Sequence, residues 1–369
     1  MRIAINAADL DHPRIDGTRI YIRNLLEKFG PDANDRDQFL IYHKSEFNPE
    51  LRFPLFENYK ILKKPFPFWL TQTRFAWEIF REKPDVLWMP MHSLPCLRSK
   101  KTKTVVTIHD LAFKFFPQFF KKKDLRRLNW FTDYVVRNAD KLIAISNSTK
   151  NDLIKLYPNI DEEKIKVIYH GYDKNLYNEN ITQEEIEKTK ASYALRASRY
   201  AIYVGAIQPR KNIETLIEAY RLIKEDFPDL KLAIAGDLGW LFEPVLRKIK
   251  SVEGVIYLGK FKTKDLPALL RGAEAFVLPS LYEGFGLPIL EAMACGAPVI
   301  AADNSSLGEV SGDAGILYKP NEPGTLADVL RGVLKDAKLK NQMKERGLER
   351  VKDFSWSKCA REKLEWLKS

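Results

Sequence analysis

Two doubly wound α/β domains in tandem are the fold that this chain predicts, on three observations. Short, almost uniformly apolar runs rich in Val and Ile alternate with helical patterns, the alternation occurs twice, and a polar, acidic stretch separates the two series. Strands that are apolar throughout belong in a parallel sheet covered on both faces, because a half-exposed antiparallel strand alternates apolar with polar residues. A length of 369 residues also exceeds one compact core and suits two domains of ordinary size.

The first series of expected strands comprises 3–7, 39–43, 86–89, 104–108, 142–145 and 166–169. After Asp173 the chain is polar and acidic to about Arg199, with a helical pattern over 183–193 and no strand. The second series then runs 200–205, 231–235, 255–258, 275–278, 298–302 and 315–318. These readings divide the chain into a first domain at 1–175, a hinge at 176–198 and a second domain at 199–353. The basic helical segment 354–369 is expected to pack back on the first domain.

Hydrophobic residues at 45% against 30% charged exclude a disordered chain. The cysteines, Cys96, Cys295 and Cys359, are scattered and odd in number, so they give neither a disulfide framework nor paired metal-ligand spacing. The opening Met-Arg-Ile-Ala-Ile-Asn reads as a strand rather than a signal peptide, and no uninterrupted apolar run reaches the roughly 18 residues of a spanning helix. A cytoplasmic location is expected. The net charge of +11 asks for an acidic partner, namely nucleic acid, anionic lipid or a phosphorylated substrate.

Ligands of open α/β sheets sit outside the carboxyl ends of the strands. The residues that draw notice lie there: Gly17, His109 and Asp110, Ser146, the loop from Gly205 to Asn212, and the loop from Glu283 to Gly286. Two such rims facing each other would make an interdomain cleft. The richest run is Glu283-Gly-Phe-Gly-Leu-Pro-Ile-Leu-Glu291, which follows an apolar strand ending at Leu278-Pro279-Ser280. Its glycines let backbone approach a ligand, Pro288 suits the first turn of a helix, and Gly296 closes that helix. Free N–H groups at the helix start suit an anion, and Glu291, one turn in, suits ligand hydroxyls. The plain alternative is an ordinary strand-loop-helix unit with solvated glutamates. Against it, the helix is apolar apart from Glu291, and a buried carboxylate needs a partner.

In Tyr203-Val-Gly-Ala-Ile-Gln-Pro-Arg-Lys-Asn212, Arg210 and Lys211 sit on a loop after a strand that ends in Gly205. A guanidinium fork beside an ammonium suits a diphosphate, and a solvated basic pair is the alternative.

Taken together these residues resemble glycosyltransferase family 4, the retaining nucleotide-sugar transferases of GT-B fold. The resemblance runs from Gly17-Thr-Arg-Ile-Tyr-Ile-Arg-Asn-Leu-Leu, through Ile143-Ala-Ile-Ser-Asn-Ser and His170-Gly171, to the glutamate motif and Phe354-Ser-Trp356. It implies that Arg210 and Lys211 hold the donor diphosphate, that Glu291 binds the ribose hydroxyls and that Glu283 meets the donor sugar. Backbone at Gly284, Phe285, Gly286 and Leu287 would complete the sugar and phosphate contacts, with Gly205 beside them. Gly17 corresponds to the first-domain glycine that approaches the phosphates, and His109 to the histidine that reaches the transferred sugar. The family often has two adjacent glycines in the first loop, where this chain has Asp16-Gly17-Thr18. His170 reads as structural, and His12, His43 and His92 are unassigned.

On that resemblance the catalytic set is His109, Glu283, Arg210 and Lys211, and no cofactor or metal is expected. Fixed positive charge takes the part that a metal plays elsewhere. The run His109-Asp-Leu-Ala-Phe with Phe116-Pro117 looks most like the mannosyltransferases, which makes GDP-mannose the first donor and UDP-sugars (glucose, N-acetylglucosamine, galactose) the alternative. The acceptor would be a saccharide or a polyprenyl-linked glycan of a surface polysaccharide. Residues 113–130 interleave aromatics with Lys114, Lys121, Lys122, Lys123, Arg126 and Arg127, a composition shared by RNA platforms and by segments that dock on anionic membrane. Membrane docking is the expectation, without nucleic acid. Three other readings are a glycoside hydrolase with two carboxylates, a metal-dependent transferase using Asp9-Leu-Asp11 or Asp35-Arg-Asp37, and a non-catalytic basic binding protein.

Overall fold

The structure is a computed structural model of residues 1–369, and it describes all of them except 35, 66–69 and 197. The chain forms two units, Met1–Gly171 with Ser355–Ser369, and Tyr172–Phe354.

The first unit carries strands β1 (Arg2–Asn6), β2 (Gln38–His43), β3 (Tyr59–Lys63), β4 (Val86–Met89), β5 (Lys103–Ile108), β6 (Lys141–Ala144) and β7 (Ile165–Val167). They pair in the order β3-β2-β1-β4-β5-β6-β7, parallel throughout. The second unit carries β8 (Arg199–Val204), β9 (Leu230–Ala235), β10 (Val255–Gly259), β11 (Ala275–Leu278), β12 (Val299–Ala302) and β13 (Ile316–Tyr318) in the order β10-β9-β8-β11-β12-β13, again parallel. Both sheets are doubly wound, as the uniformly apolar runs predict, and residues of the central strands such as Ile3, Trp88, Val105, Ile202, Ile234 and Phe276 are buried.

Two expectations need correction. Strand β3 is missing from the expected series, because Tyr-Lys-Ile-Leu-Lys alternates charge with apolar side chains. That pattern suits its place at the sheet edge, where lysines discourage further pairing. The domain boundary falls between Gly171 and Tyr172 rather than at 175, and the segment 176–198, expected as a hinge, lies within the second unit. Its helix Gln183–Ser192 is polar because it covers the outside of that unit with little more than Ile186, and the Thr182–Glu185 capping box fixes its start. Tyr193 just beyond it donates to the Asp265 carboxylate at 2.8 Å.

The helix Trp356–Lys368 belongs to the first unit, where it packs on the helix Gly17–Asp32. Lys141 donates to the Trp366 carbonyl at 3.1 Å and stacks over its ring, and Lys368 pairs with Asp37.

Candidate functional site

In the second sheet the winding reverses between β8 and β11, so the crevice outside the carboxyl ends of these two neighbours is where a ligand is expected. The chain leaves β8 through Gly205 into the short turn Pro209–Lys211, and it leaves β11 through Ser280 into the helix Leu287–Ala294. The Leu281 N–H donates to the Arg210 carbonyl at 2.9 Å and ties the two loops together. At the mouth of the first loop a Cβ on Gly236, at φ +146°, would stand 1.9 Å from the Gly205 carbonyl oxygen, so only glycine permits this approach.

Arg210, Lys211 and Glu283, far apart in sequence, form one cluster here. Lys211 Nζ lies 2.5 Å from Glu283 Oε1 and Arg210 Nη1 lies 3.5 Å from Glu283 Oε2, while Arg210 also donates to the Tyr282 carbonyl. The side chains are 11% (Arg210), 15% (Lys211) and 12% (Glu283) exposed, enough for a ligand to reach but little enough to keep solvent from screening them. Burial works to raise the Glu283 pKa, yet Lys211 and Arg210 outweigh it and hold the carboxyl at about 2. The cluster keeps a net positive charge.

The loop between Glu283 and the helix is braced by residues that sequence reasoning did not single out. Ser305 Oγ accepts the Glu283 N–H at 3.0 Å, and the buried Ser306 hydroxyl lies 2.9 Å from the Glu283 carbonyl and 2.8 Å from that of Phe285. Asn304 donates to the Ser280 carbonyl at 2.9 Å. Asn304-Ser305-Ser306 follows β12 at the same rim, which was the available signal. Gly286 at φ +103° starts the helix, with Pro288 in its first turn and no side-chain cap on its N-terminal amides. Phe285, expected among the ligand contacts, buries its ring against Phe354 at 5.9 Å, so what it offers a ligand is its backbone. Leu287 is the first residue of the helix.

Glu291 lies one turn into that helix and is half-buried. Burial raises its carboxyl to about 7, with the nearby Asp173 carboxylate pushing the same way and a Tyr177 hydrogen bond opposing. Nothing in the sequence pattern marks either neighbour.

In the first unit, His109 follows β5. Its Nε2 lies 2.7 Å from the Pro90 carbonyl, which can only accept, so Nε2 carries the proton and Nδ1 is left as an acceptor. The His109 N–H in turn donates to His92 Nε2 at 2.6 Å. The Tyr21 ring meets His109 edge-on at 5.0 Å and stacks on His170 at 4.7 Å. Burial lowers the pKa of all three histidines, His92 to about 4 and His170 well below the usual range, so each is neutral at neutral pH. His92 and His170, which the sequence gives no functional role, thus surround His109. Tyr21 shares a 2.9 Å hydrogen bond with Thr107 and contacts the buried Lys363 side-chain nitrogen from the helix Trp356–Lys368. Gly17 opens the helix Gly17–Asp32, where the Asp16 side chain accepts the Arg19 N–H at 3.2 Å.

Asp11 accepts the Lys44 and Ser45 N–H groups at 2.7 Å, and Arg19 lies 3.8 Å from Asp9, so both carboxylates have structural work; Asp35 lies outside the described residues. Among the described residues no group of three His, Cys, Asp or Glu side chains is placed to hold a metal ion. The stretch 113–130 divides: Phe113 is core, Lys114 pairs with Asp133 at 2.7 Å, and the helix Lys122–Asn138 presents Lys122, Lys123, Arg126, Arg127 and Trp130 to solvent. No described helix is long and apolar enough to cross a membrane.

Two doubly wound units of parallel sheet, one with a cation-carboxylate cluster at its switch point, define the architecture of a GT-B glycosyltransferase. Residues 16–176 match Glycosyltransferase Family 4 and residues 185–350 match Glycosyl transferases group 1. The chain is 32% identical to the Escherichia coli O-antigen chain mannosyltransferase B over 78% of this chain and 74% of that one. It is 30% identical to the E. coli serotype-specific mannosyltransferase WbdA over 70% of this chain, which spans about a third (32%) of that longer relative. The crystal structure of Anabaena HepE in complex with UDP and glucose superposes with a TM-score of 0.76 at 20% identity, covering 100% of this chain and 99% of that one. The chain belongs to glycosyltransferase family 4.

Proposed function

We propose that this glycosyltransferase moves a hexose, mannose in the first place, from a nucleoside diphosphate sugar to a saccharide or polyprenyl-linked acceptor in surface polysaccharide or lipopolysaccharide synthesis. The observation that carries the reading is the Arg210–Lys211–Glu283 cluster beside the start of the helix Leu287–Ala294. The mannosyltransferase relatives favour GDP-mannose, and the UDP and glucose of HepE keep a UDP-sugar as the alternative.

In the proposed step the bond between the anomeric carbon and the diphosphate oxygen breaks, and negative charge grows on the leaving group. Arg210 and Lys211 neutralise it, each charge-assisted contact contributing roughly 1.5–3 kcal/mol, and the amides at Gly286 and Leu287 add the helix-terminus field. The acceptor oxygen attacks from the leaving-group face, its proton passes to the departing phosphate, and configuration is retained. Glu283, held ionised by the two cations, meets the donor sugar as a hydrogen-bond acceptor and forms no covalent bond. Glu291 takes the ribose hydroxyls. Gly205 and backbone from Gly284 to Leu287 line the donor, and Gly17 and His109 contribute from the first unit on the family resemblance. No metal or cofactor enters the reaction. Residues 258–261 read the base.

The exposed Lys122, Lys123, Arg126, Arg127 and Trp130 fit docking on the anionic inner face of a plasma membrane, a peripheral cytoplasmic placement. A thermal-shift panel of nucleotide sugars with and without EDTA tests the donor reading. At 100 times its dissociation constant a true donor adds about 2.7 kcal/mol of stability. Arg210→Ala should abolish the shift, and EDTA should leave it intact. Full response of the Arg210 variant would mean that the site is misplaced.

A further inference from the structure

The helix Trp356–Lys368 buries one stripe of side chains in the first unit, and Trp356, Ala360, Lys363 and Leu367 recur along it at helical spacing. A lysine is out of keeping with that stripe. The Lys363 side chain is fully buried, and among the described residues its nitrogen has no carboxylate partner. Burial lowers its pKa well below the usual lysine range. An amine buried without a counter-charge costs the fold stability, so its presence calls for a use that packing does not supply.

What the nitrogen meets is Tyr21. It donates to the Tyr21 hydroxyl and stands 4.1 Å from the centre of that ring and 5.0 Å from the centre of the Trp88 ring. The same hydroxyl lies 2.9 Å from Thr107 Oγ1, which also accepts the Trp88 Nε1–H at 3.1 Å. The phenol is thus gripped at its tip from two sides, by Thr107 of β5 and by Lys363 of the last helix.

The ring so held is the one that packs on His109. The two rings are 5.0 Å apart and nearly perpendicular, at 88°, while His170 stacks on Tyr21 at 4.7 Å. The bond from His109 Nε2 to the Pro90 carbonyl pins one point of the imidazole at 2.7 Å, and one hydrogen bond alone leaves a ring able to rock about it. A perpendicular neighbour in contact removes that freedom. We propose that Tyr21 and Lys363 are positioning residues for His109: Lys363 and Thr107 clamp the Tyr21 hydroxyl, and the clamped ring fixes the imidazole plane in which Nδ1 accepts a hydroxyl of the transferred sugar. The proposal rests on the reading that His109 meets that sugar, and both residues act through it.

Lys363→Met keeps the length and apolar stem of the side chain and removes the amine. Its kcat for release of nucleoside diphosphate from GDP-mannose, or from UDP-glucose where that is the donor accepted, should fall roughly three- to tenfold, the effect of one lost hydrogen bond. The KM for the donor should stay as in wild type, because the second unit holds the diphosphate. The melting temperature should hold or rise, since a buried amine is gone and Thr107 still takes the Tyr21 hydroxyl. Tyr21→Phe, which opens the clamp from its other end, should lower kcat to the same extent and serves if Lys363→Met does not fold. Tyr21→Leu, which removes the ring, should lower kcat up to about a hundredfold.

A wild-type kcat in Lys363→Met and Tyr21→Phe overturns the proposal. So does a kcat in Lys363→Met that falls only in step with its melting temperature, the mark of a structural role. Should neither nucleotide sugar turn over, nitrogen NMR of the histidine rings, assigned through His109→Ala, decides. The His109 Nε2–H signal should shift or broaden in Lys363→Met and Tyr21→Leu, and an unmoved signal in both overturns the proposal. His109→Ala with wild-type kcat instead overturns the reading of His109 beneath it.

Discussion

Replacing Glu283 by Gln separates binding from turnover at the cation cluster. The carboxyl is held at about 2 instead of 4.5, which corresponds to a net attraction to Lys211 and Arg210 of about 3 kcal/mol after burial has been offset. A diphosphate arriving at the same cations competes for that attraction, although it shares the cations rather than displacing the carboxylate. Roughly half of the figure, about 1–2 kcal/mol, should therefore reappear as affinity, so that Glu283→Gln binds GDP or UDP about five- to thirtyfold more tightly. Its turnover should collapse, because the sugar loses its charged acceptor. Titration calorimetry with the nucleotide, beside release of nucleoside diphosphate from the nucleotide sugar, measures both. The variant should also unfold more easily near neutral pH. A depressed pKa contributes stability above 4.5 that disappears as pH falls toward 2, so the difference from wild type should narrow over that window. If Glu283→Gln binds the nucleotide as weakly as Arg210→Ala does, the competition argument is wrong.

Buried neutral histidines make the first unit acid-sensitive: His92, His109 and His170 take up protons on unfolding, so stability should fall as pH drops from 6.5 toward 4, at most about 1.4 kcal/mol per pH unit for each. Urea titrations at pH 7, 6 and 5 measure this, and a flat profile contradicts it. Ser306→Ala removes a hydroxyl shared by the Glu283 and Phe285 carbonyls and should cost about 1–3 kcal/mol in thermal unfolding along with nucleotide affinity. Gly236→Ala drives a methyl into the Gly205 carbonyl and should cost more than ~1 kcal/mol and displace the loop of Arg210, which crystallography of the variant would reveal. Glutamates at Lys121, Lys122 and Lys123 should release the protein from anionic vesicles, and unchanged flotation would remove the docking proposal.

Much of the fold is written in the chain because buried parallel strands need nearly uninterrupted apolar runs, and every strand of the second sheet announces itself in that way. What escapes does so for local reasons. The edge strand β3 carries lysines where a central strand could not, and the helix Gln183–Ser192 looks like a linker because it buries one narrow face. The residues Arg210, Lys211, Glu283 and Glu291 are legible through the glycines and proline around them, since backbone of that shape has few uses. Their supporting partners are not. Ser306, Tyr177, His92 and His170 are ordinary residues in loops or at loop edges, and their importance comes from what folding sets beside them, which spacing does not encode.

The Lys363–Tyr21 contact joins residues 342 positions apart, within a single unit. The ribosome therefore makes the whole of the second unit before the first can receive the helix that covers Tyr21 and Trp88. During synthesis the amino-terminal unit waits without its last helix while the later unit can already close, so the order of completion runs opposite to the order of translation.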